Sequence, residues 1–268
     1  MPYFMSAGRK LHYVEQGSGE PLVLLHGLGS RADDWQVQMA SWGGDYRVIA
    51  LDLRGHGLSD VAEAGLTIAT LADDLLALLN HLQLPRCFLV GFSLGGMVAF
   101  EFAVRNPARV SAMVIVNSGP QVAPFSVAIK CVFWLRLLTI RLLGMRALGR
   151  QIARRIFPEP EQAQLREKFE SQMANNDSVS YRNTLLAIRD WSVSAYLDQL
   201  QMPILIVAAD QDYTSVAVKE AYAKYLKRAE LVVISDSRHA TPLDQPEKFN
   251  SAVFDFLRKL SGALSLQQ

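Results

Sequence analysis

Cys87-Phe88-Leu89-Val90-Gly91-Phe92-Ser93-Leu94-Gly95-Gly96-Met97-Val98-Ala99-Phe100-Glu101-Phe102-Ala103 is the stretch on which the fold class turns. Cys87 to Val90 is a short apolar run of the kind that forms a buried strand, and Leu94 to Ala103 carries a helical pattern. Between them Gly91-Phe92-Ser93-Leu94-Gly95 fits G-x-S-x-G. In that pattern the serine sits on a strained strand-to-helix turn and projects its hydroxyl from the end of a sheet. The glycines have a steric role, because such a turn brings neighbouring backbone too close for a Cβ. The helix that follows points its first N–H groups at the same spot, where they can hold developing negative charge.

Outward from this unit, strand-like and helix-like segments alternate, which argues for a mostly parallel sheet with helices on both faces. Leu11-Val14 and Pro21-Leu25 read as early strands, antiparallel and near an edge, and Tyr46-Leu51 as a third. Asp34-Ala40 reads as a helix. Thr67 to Leu82 has helical spacing of Ile68, Leu71, Leu75, Leu78, Leu79 and Leu82, with Thr67 or Thr70 as its cap. Later strands are expected at Val110-Val116, Pro203-Ala208 and Leu231-Ile234. Helices are expected at Lys219-Leu226 and Pro246-Leu260, and the tail from Ser261 to Gln268 should fray.

The chain has 268 residues, half of them hydrophobic, and a formal net charge of +1. That length fits one large α/β domain with an insertion, and the charge gives no basis for a nucleic-acid partner. Two cysteines, Cys87 and Cys131, make neither a disulfide framework nor a metal cluster. Met1 to Lys10 lacks the apolar core of a signal peptide, and no apolar stretch approaches the ~20 residues that span a bilayer. A cytoplasmic location is expected, with no membrane insertion; oligomeric state is not readable.

Between Asn117 and Leu197 the alternation stops, and helical patterns run without a strand. The expected division is a core of residues 1–118 and 197–268 with a helical insertion at 119–196. From Gln121 to Phe157 there is no acidic residue, whereas Lys130, Arg136, Arg141, Arg146, Arg150, Arg154 and Arg155 are basic. The plain expectation is that these cations lie on solvated helix faces balanced by acids elsewhere. The sharper one is a lid that meets an anionic or long-chain lipophilic substrate, or touches a membrane surface. Aromatic residues here that could line a pocket are Phe125, Phe133, Trp134 and Trp191; with Phe92 beside the serine, Phe125, Trp134 and Trp191 are the candidate substrate contacts.

A serine hydroxyl needs a base to take its proton, and the base needs a third group to fix its tautomer. Of five histidines, His12 and His81 read as surface or boundary residues, and His26 and His56 lie in glycine-rich loops before the serine. Only His239 follows Ser93, which fits the chain order serine, acid, histidine. The acid belongs between them at the C-terminal end of a strand. Asp210 and Asp212 both qualify; Asp212, farther from the strand, is preferred, with Asp210 bracing the turn. The oxyanion donors expected are the backbone N–H groups of Leu94, next to the nucleophile, and Leu28, in the turn Leu24-Leu25-His26-Gly27-Leu28-Gly29.

With these residues in place, the chain resembles the α/β-hydrolase fold enzymes over nearly all of its length outside the insertion. His26-Gly27 looks like the family's oxyanion turn, and Asp52-Leu53-Arg54-Gly55-His56-Gly57-Leu58-Ser59 is similar to its D-x-R-G-x-G-x-S loop. His239 followed by Pro242, Leu243, Gln245, Pro246 and Phe249 looks like its histidine loop and last helix. The resemblance implies a mostly parallel eight-stranded sheet with helices on both faces and an inserted helical cap. It favours Asp212, which stands three residues after the small Ala209, and gives His56 a structural part. Among subfamilies the chain looks most like capped carboxylesterases and lactonases, the enol-lactone hydrolases included. Ala209 and Arg238 depart from positions where the family usually has glycine, and Ser93 stands where dehalogenases and epoxide hydrolases have aspartate.

The function expected from sequence is hydrolysis of a small ester or lactone through an acyl-enzyme, with no cofactor and no metal. The same three residues could serve carbon–carbon bond hydrolysis or perhydrolysis, and a hydrolase-fold binding protein could keep them with negligible turnover.

Overall fold

A computed structural model describes residues 2–122 and 127–265. Eight strands form one sheet: β1 (Tyr3–Ser6), β2 (Arg9–Gln16), β3 (Glu20–Leu25), β4 (Tyr46–Leu51), β5 (Cys87–Phe92), β6 (Val110–Val116), β7 (Ile204–Ala209) and β8 (Ala229–Ile234). Their order across the sheet is β1-β2-β4-β3-β5-β6-β7-β8. The β1–β2 and β2–β4 pairs are antiparallel, and every pair from β4 to β8 is parallel. The expected eight-stranded, mostly parallel sheet is thus present.

The central strands are buried on both faces, as parallel strands with near-continuous apolar sequence must be. Alternate residues of β3 feed opposite sides: Val23 and Leu25 join a core with Leu71, Leu75, Val98 and Phe102, while Leu22 and Leu24 pack with Trp35, Trp42, Phe249 and Val253. One layer therefore holds α2 (Ile68–His81) and α3 (Leu94–Arg105). The other holds α1 (Gln36–Trp42) and, at the chain's end, α9 (Pro246–Ser265). Thr67 caps α2, its hydroxyl accepting from Thr70 N at 3.0 Å.

Some boundaries differ from the sequence reading. β3 is parallel and central, not an antiparallel edge strand, because its last four residues are all buried and leave no solvent face. His12 is buried, its Nδ1 2.7 Å from Asp52 Oδ2, and is no surface residue. The edge strand β1 falls outside the expected elements, and the helix expected at Asp34-Ala40 is present as α1, entered through a short 3-10 turn at Ala32–Trp35. The last helix runs beyond Leu260 to Ser265.

Between β6 and β7 the chain leaves the sheet and forms three helices, α4 (Val127–Ile156), α5 (Ala163–Asn175) and α6 (Ser178–Arg189). Gly144, at φ 78°, breaks α4 into two segments. The two ends of this excursion are tied together where Gln121 bridges Ser192 and Val193 N donates to Pro120 O at 2.8 Å. Met145, Leu148, Met173, Tyr181 and Leu185 give these helices a small core of their own. After β7 come α7 (Val216–Ala223) and, beyond β8, the single turn α8 (Thr241–Asp244). No described helix is long and apolar enough to cross a membrane.

Candidate active site

Ser93 stands between β5 and α3 with φ 51° and ψ −111°, a strained conformation for a residue with a side chain. The strain is held by what surrounds it. Ser93 N donates to Val116 O at 2.9 Å, and Ser118 Oγ donates to Ser93 O at 2.7 Å. Gly91 and Gly95 are required by packing: a Cβ on Gly91 would collide with the Gly95 carbonyl, and one on Gly95 with the Leu25 carbonyl. The sheet and α3 approach too closely for any side chain there.

His239 lies in the loop between β8 and α8, and its Nε2 is 3.0 Å from Ser93 Oγ. Its Nδ1 is 2.6 Å from Asp212 Oδ1. Asp212 follows β7, so three loops at the C-terminal edge of the parallel strands meet at one point. The geometry separates the two candidate aspartates. Asp210 instead accepts from Asp236 N and Ser237 N at 3.1 and 3.0 Å, bracing the loop that carries His239.

Asp212 has both oxygens filled. Oδ1 accepts from His239 and from Tyr213 N at 2.6 Å; Oδ2 accepts from Thr214 Oγ1 at 2.9 Å and Lys219 Nζ at 2.5 Å. Burial pushes this carboxyl upward, but the hydrogen bond and charge of His239, then those of Lys219, more than reverse it and hold it well below the usual carboxylate range. An ionised Asp212 accepts the Nδ1 proton of His239, which leaves Nε2 free to accept from the serine hydroxyl.

Leu94 is the first residue of α3, where an N–H has no acceptor within the helix. Leu28 lies beside it in the turn closed by Ser30 N donating to Gly27 O at 3.1 Å. Gly27, Leu28, Ser93, Leu94 and His239 line one cavity of about 220 Å³. The turn is supported from beneath by neutral histidines. His26 Nε2 accepts from Leu53 N at 3.0 Å, so its Nδ1 donates to Gly27 O at 2.8 Å. Burial lowers His26, and burial, with the close approach of His26, pushes His56 down to about 3. Asp52 ties this layer together by accepting from Ala32 N, Leu58 N and His12.

The rest of the cavity wall is largely apolar and comes from β5, α3 and the three inserted helices. It includes Phe92, Met97, Phe133, Ile152, Tyr181 and Leu185. Phe92, an expected substrate contact, packs its ring 5.2 Å from that of His239. Trp134 is different: it is 72% exposed, and the wall position belongs to its neighbour Phe133. One residue along a helix turns the side chain by about 100°, which removes Trp134 from the cavity. Trp191 is also absent from the wall, because its Nε1 donates to Glu101 Oε2 at 2.8 Å and anchors the insert to α3. Phe125 lies outside the described residues.

The basic segment divides in two. Arg146 and Arg150 lie within 4 Å of Glu170 on the outside of the insert. Arg136 lines the cavity beside Tyr181, and Arg155 lies 4.6 Å above the ring of Tyr213. Among the described residues, Arg136 is the one ionisable cation besides His239 in the cavity wall. Among the described residues no three His, Cys, Asp or Glu side chains converge as metal ligands would.

Two contributors escaped the sequence reading. Asn117, at the end of β6, donates from Nδ2 to His239 O at 2.8 Å and accepts at Oδ1 from Ala209 N at 2.8 Å, so it links the β7 end to the histidine loop. Lys219 is buried in α7 and contacts the acid directly. Its signal is its place on an apolar helical stripe with Tyr222, Ala223 and Leu226, where a lysine needs a buried partner.

Residues 20–246 match the family model of the alpha/beta hydrolase fold, most of the chain. The chain belongs to this family. It is 31% identical to RutD of Variovorax paradoxus, named a carbamate hydrolase, over 94% of this chain and 97% of the relative. It is 26% identical to 3-oxoadipate enol-lactonase 2 of Acinetobacter baylyi, over 94% of each. Among solved structures, a thermophilic esterase from Thermogutta terrifontis with malate bound is 27% identical, covering 96% of this chain and 97% of its own, with a TM-score of 0.87. These relatives are hydrolases, as expected for the family.

Proposed function

We propose that this α/β-hydrolase cleaves a carboxylic ester or lactone through an acyl-enzyme. The observation that carries the reading is the unbroken chain of contacts from Ser93 Oγ through His239 to Asp212, with Leu28 and Leu94 lining the same cavity. Ser93 attacks the carbonyl carbon while His239 Nε2 takes its proton. Asp212 keeps Nδ1 protonated and stabilises the imidazolium that forms. The N–H groups of Leu28 and Leu94 hold the oxyanion, a contribution of about 3 kcal/mol per donor. His239 then returns its proton to the leaving oxygen, and a water, deprotonated by the same nitrogen, releases the acid. The chemistry calls for no metal and no organic cofactor.

The helices α4 to α6 act as a cap that walls the acyl side of the cavity and chooses the substrate. Arg136, within a largely apolar lining, favours a substrate with an anionic group set apart from the scissile carbonyl. The names of the Acinetobacter enol-lactonase and of the esterase with malate bound are in keeping with an acid-bearing ligand.

Hydrolysis of short aryl esters by the protein and by its Ser93→Ala variant tests the chemistry. Loss of turnover in a folded variant is the expected result, and retained turnover rejects the nucleophile. Comparing a neutral ester with a monoester of a dicarboxylic acid tests the recognition. The acid-bearing ester should have the lower KM, and Arg136→Gln should remove the difference.

A further inference from the structure

Lys219 and Asp212 form an ion pair in which each side chain is 1% exposed. Lys219 Nζ lies 2.5 Å from Asp212 Oδ2, from Thr214 O and from Thr214 Oγ1, so its three donors are used and its charge faces one carboxylate. A buried ammonium is costly unless paired, and the partner here is the same carboxylate that orients His239. The proposed reaction does not use this cation. Ser93, His239 and Asp212 suffice to write every step.

We infer that Lys219 is a positioning residue that acts through Asp212 and widens toward acid the pH range in which His239 can accept the serine proton. This rests on the proposed roles of Ser93, His239 and Asp212. With neutral His239, the group of Lys219, Asp212 and His239 carries no net charge, and protonating His239 makes it positive. Without the lysine the group starts negative, and protonation of His239 neutralises it. The ammonium therefore makes protonated His239 less favourable and keeps the imidazole available as a base. It also fixes Oδ2, so that Oδ1 alone meets the imidazole.

The other groups around His239 do not duplicate this charge. From the loop after β7, Tyr213 stacks on the ring, and burial pushes its hydroxyl up to about 12, which leaves it neutral. From α7, Tyr222 donates to Ser118 O at 3.0 Å. From α8, Asp244 accepts from Arg238 N and Ser237 Oγ. From α4, Arg155 lies over the ring of Tyr213, and Arg136 lines the cavity beside Tyr181. The guanidinium of Arg238 turns toward Glu159, 4.0 Å away, and Asp210 is committed to Asp236 N and Ser237 N. Lys219 is the cation that touches the acid itself.

The test is the pH profile of kcat/KM on a short aryl ester for the parent, Lys219→Met, Lys219→Gln and Ser93→Ala. Its acid limb reports the base of the free enzyme. Loss of the ammonium in either lysine variant should move that limb upward by about one pH unit, with the plateau much less affected. The matched shift in both variants separates charge from hydrogen bonding, since Gln keeps a donor and Met does not. A limb that stays in place in both variants, with Ser93→Ala inactive, overturns the role of Lys219 and leaves the triad standing. Failure of both variants to fold overturns it too, by making Lys219 a structural brace. Turnover in Ser93→Ala rejects the reading on which the inference rests.

Discussion

Tyr213 lies flat against His239, with ring centroids 4.4 Å apart and planes inclined by 24°. Phe92 packs 5.2 Å from the same imidazole, so the ring is held by aromatic contacts as well as by Asp212. The stack depends on the ring of Tyr213 rather than its hydroxyl. Tyr213→Ala should lower kcat on an aryl ester about tenfold, corresponding to ~1.4 kcal/mol of transition-state stabilisation. Tyr213→Phe should stay close to the parent. Equal losses in the two variants would assign the effect to the hydroxyl.

Gly95 offers a test of the turn beneath the serine. A methyl group there meets the Leu25 backbone, which cannot move without shifting β3. Gly95→Ala should cost about 1–3 kcal/mol in urea unfolding and also reduce kcat, because Ser93 is displaced with the helix start. Gly44, whose added Cβ would meet open space, is the control. Gly44→Ala should leave both quantities near the parent.

The buried histidines make stability depend on pH. The imidazole of His56 is pushed down to about 3 in the fold, whereas a histidine in the unfolded chain titrates near ~6.5. Between those values the unfolded chain takes up a proton that the folded protein refuses. The stabilisation is complete above about pH 6.5 and is lost as pH falls, by about 1.4 kcal/mol per unit for this one group. Urea unfolding at pH 7.5 and pH 5.0 should show a steeper acid loss in the parent than in His56→Gln, by about 2 kcal/mol. Parallel losses would mean that His56 does not carry the effect.

Much of this architecture was legible because its signals are local. The run from Cys87 to Ala103 carries its strand, turn and helix in the order of the chain, and a single histidine follows Ser93. The edge strand Tyr3–Ser6 was missed because four residues, two of them buried, give too short an alternation. The choice of Phe133 over Trp134 was not available from sequence, since a helical pattern fixes the period and not the rotation about the axis. The hydrogen bonds of Asn117 and Lys219 were missed for a related reason. Each joins segments that only the folded sheet brings together, Asn117 with Ala209 and His239, Lys219 with Asp212.

The central claim is that Ser93 forms a covalent bond to the substrate carbonyl, and covalent labelling tests it most directly. The protein is treated with an aryl fluorophosphonate and its intact mass recorded, followed by peptide mapping. The account predicts a single adduct on Ser93, absent from Ser93→Ala and formed far more slowly in His239→Ala. No adduct on a folded protein, or an adduct at another residue that survives in Ser93→Ala, would contradict it.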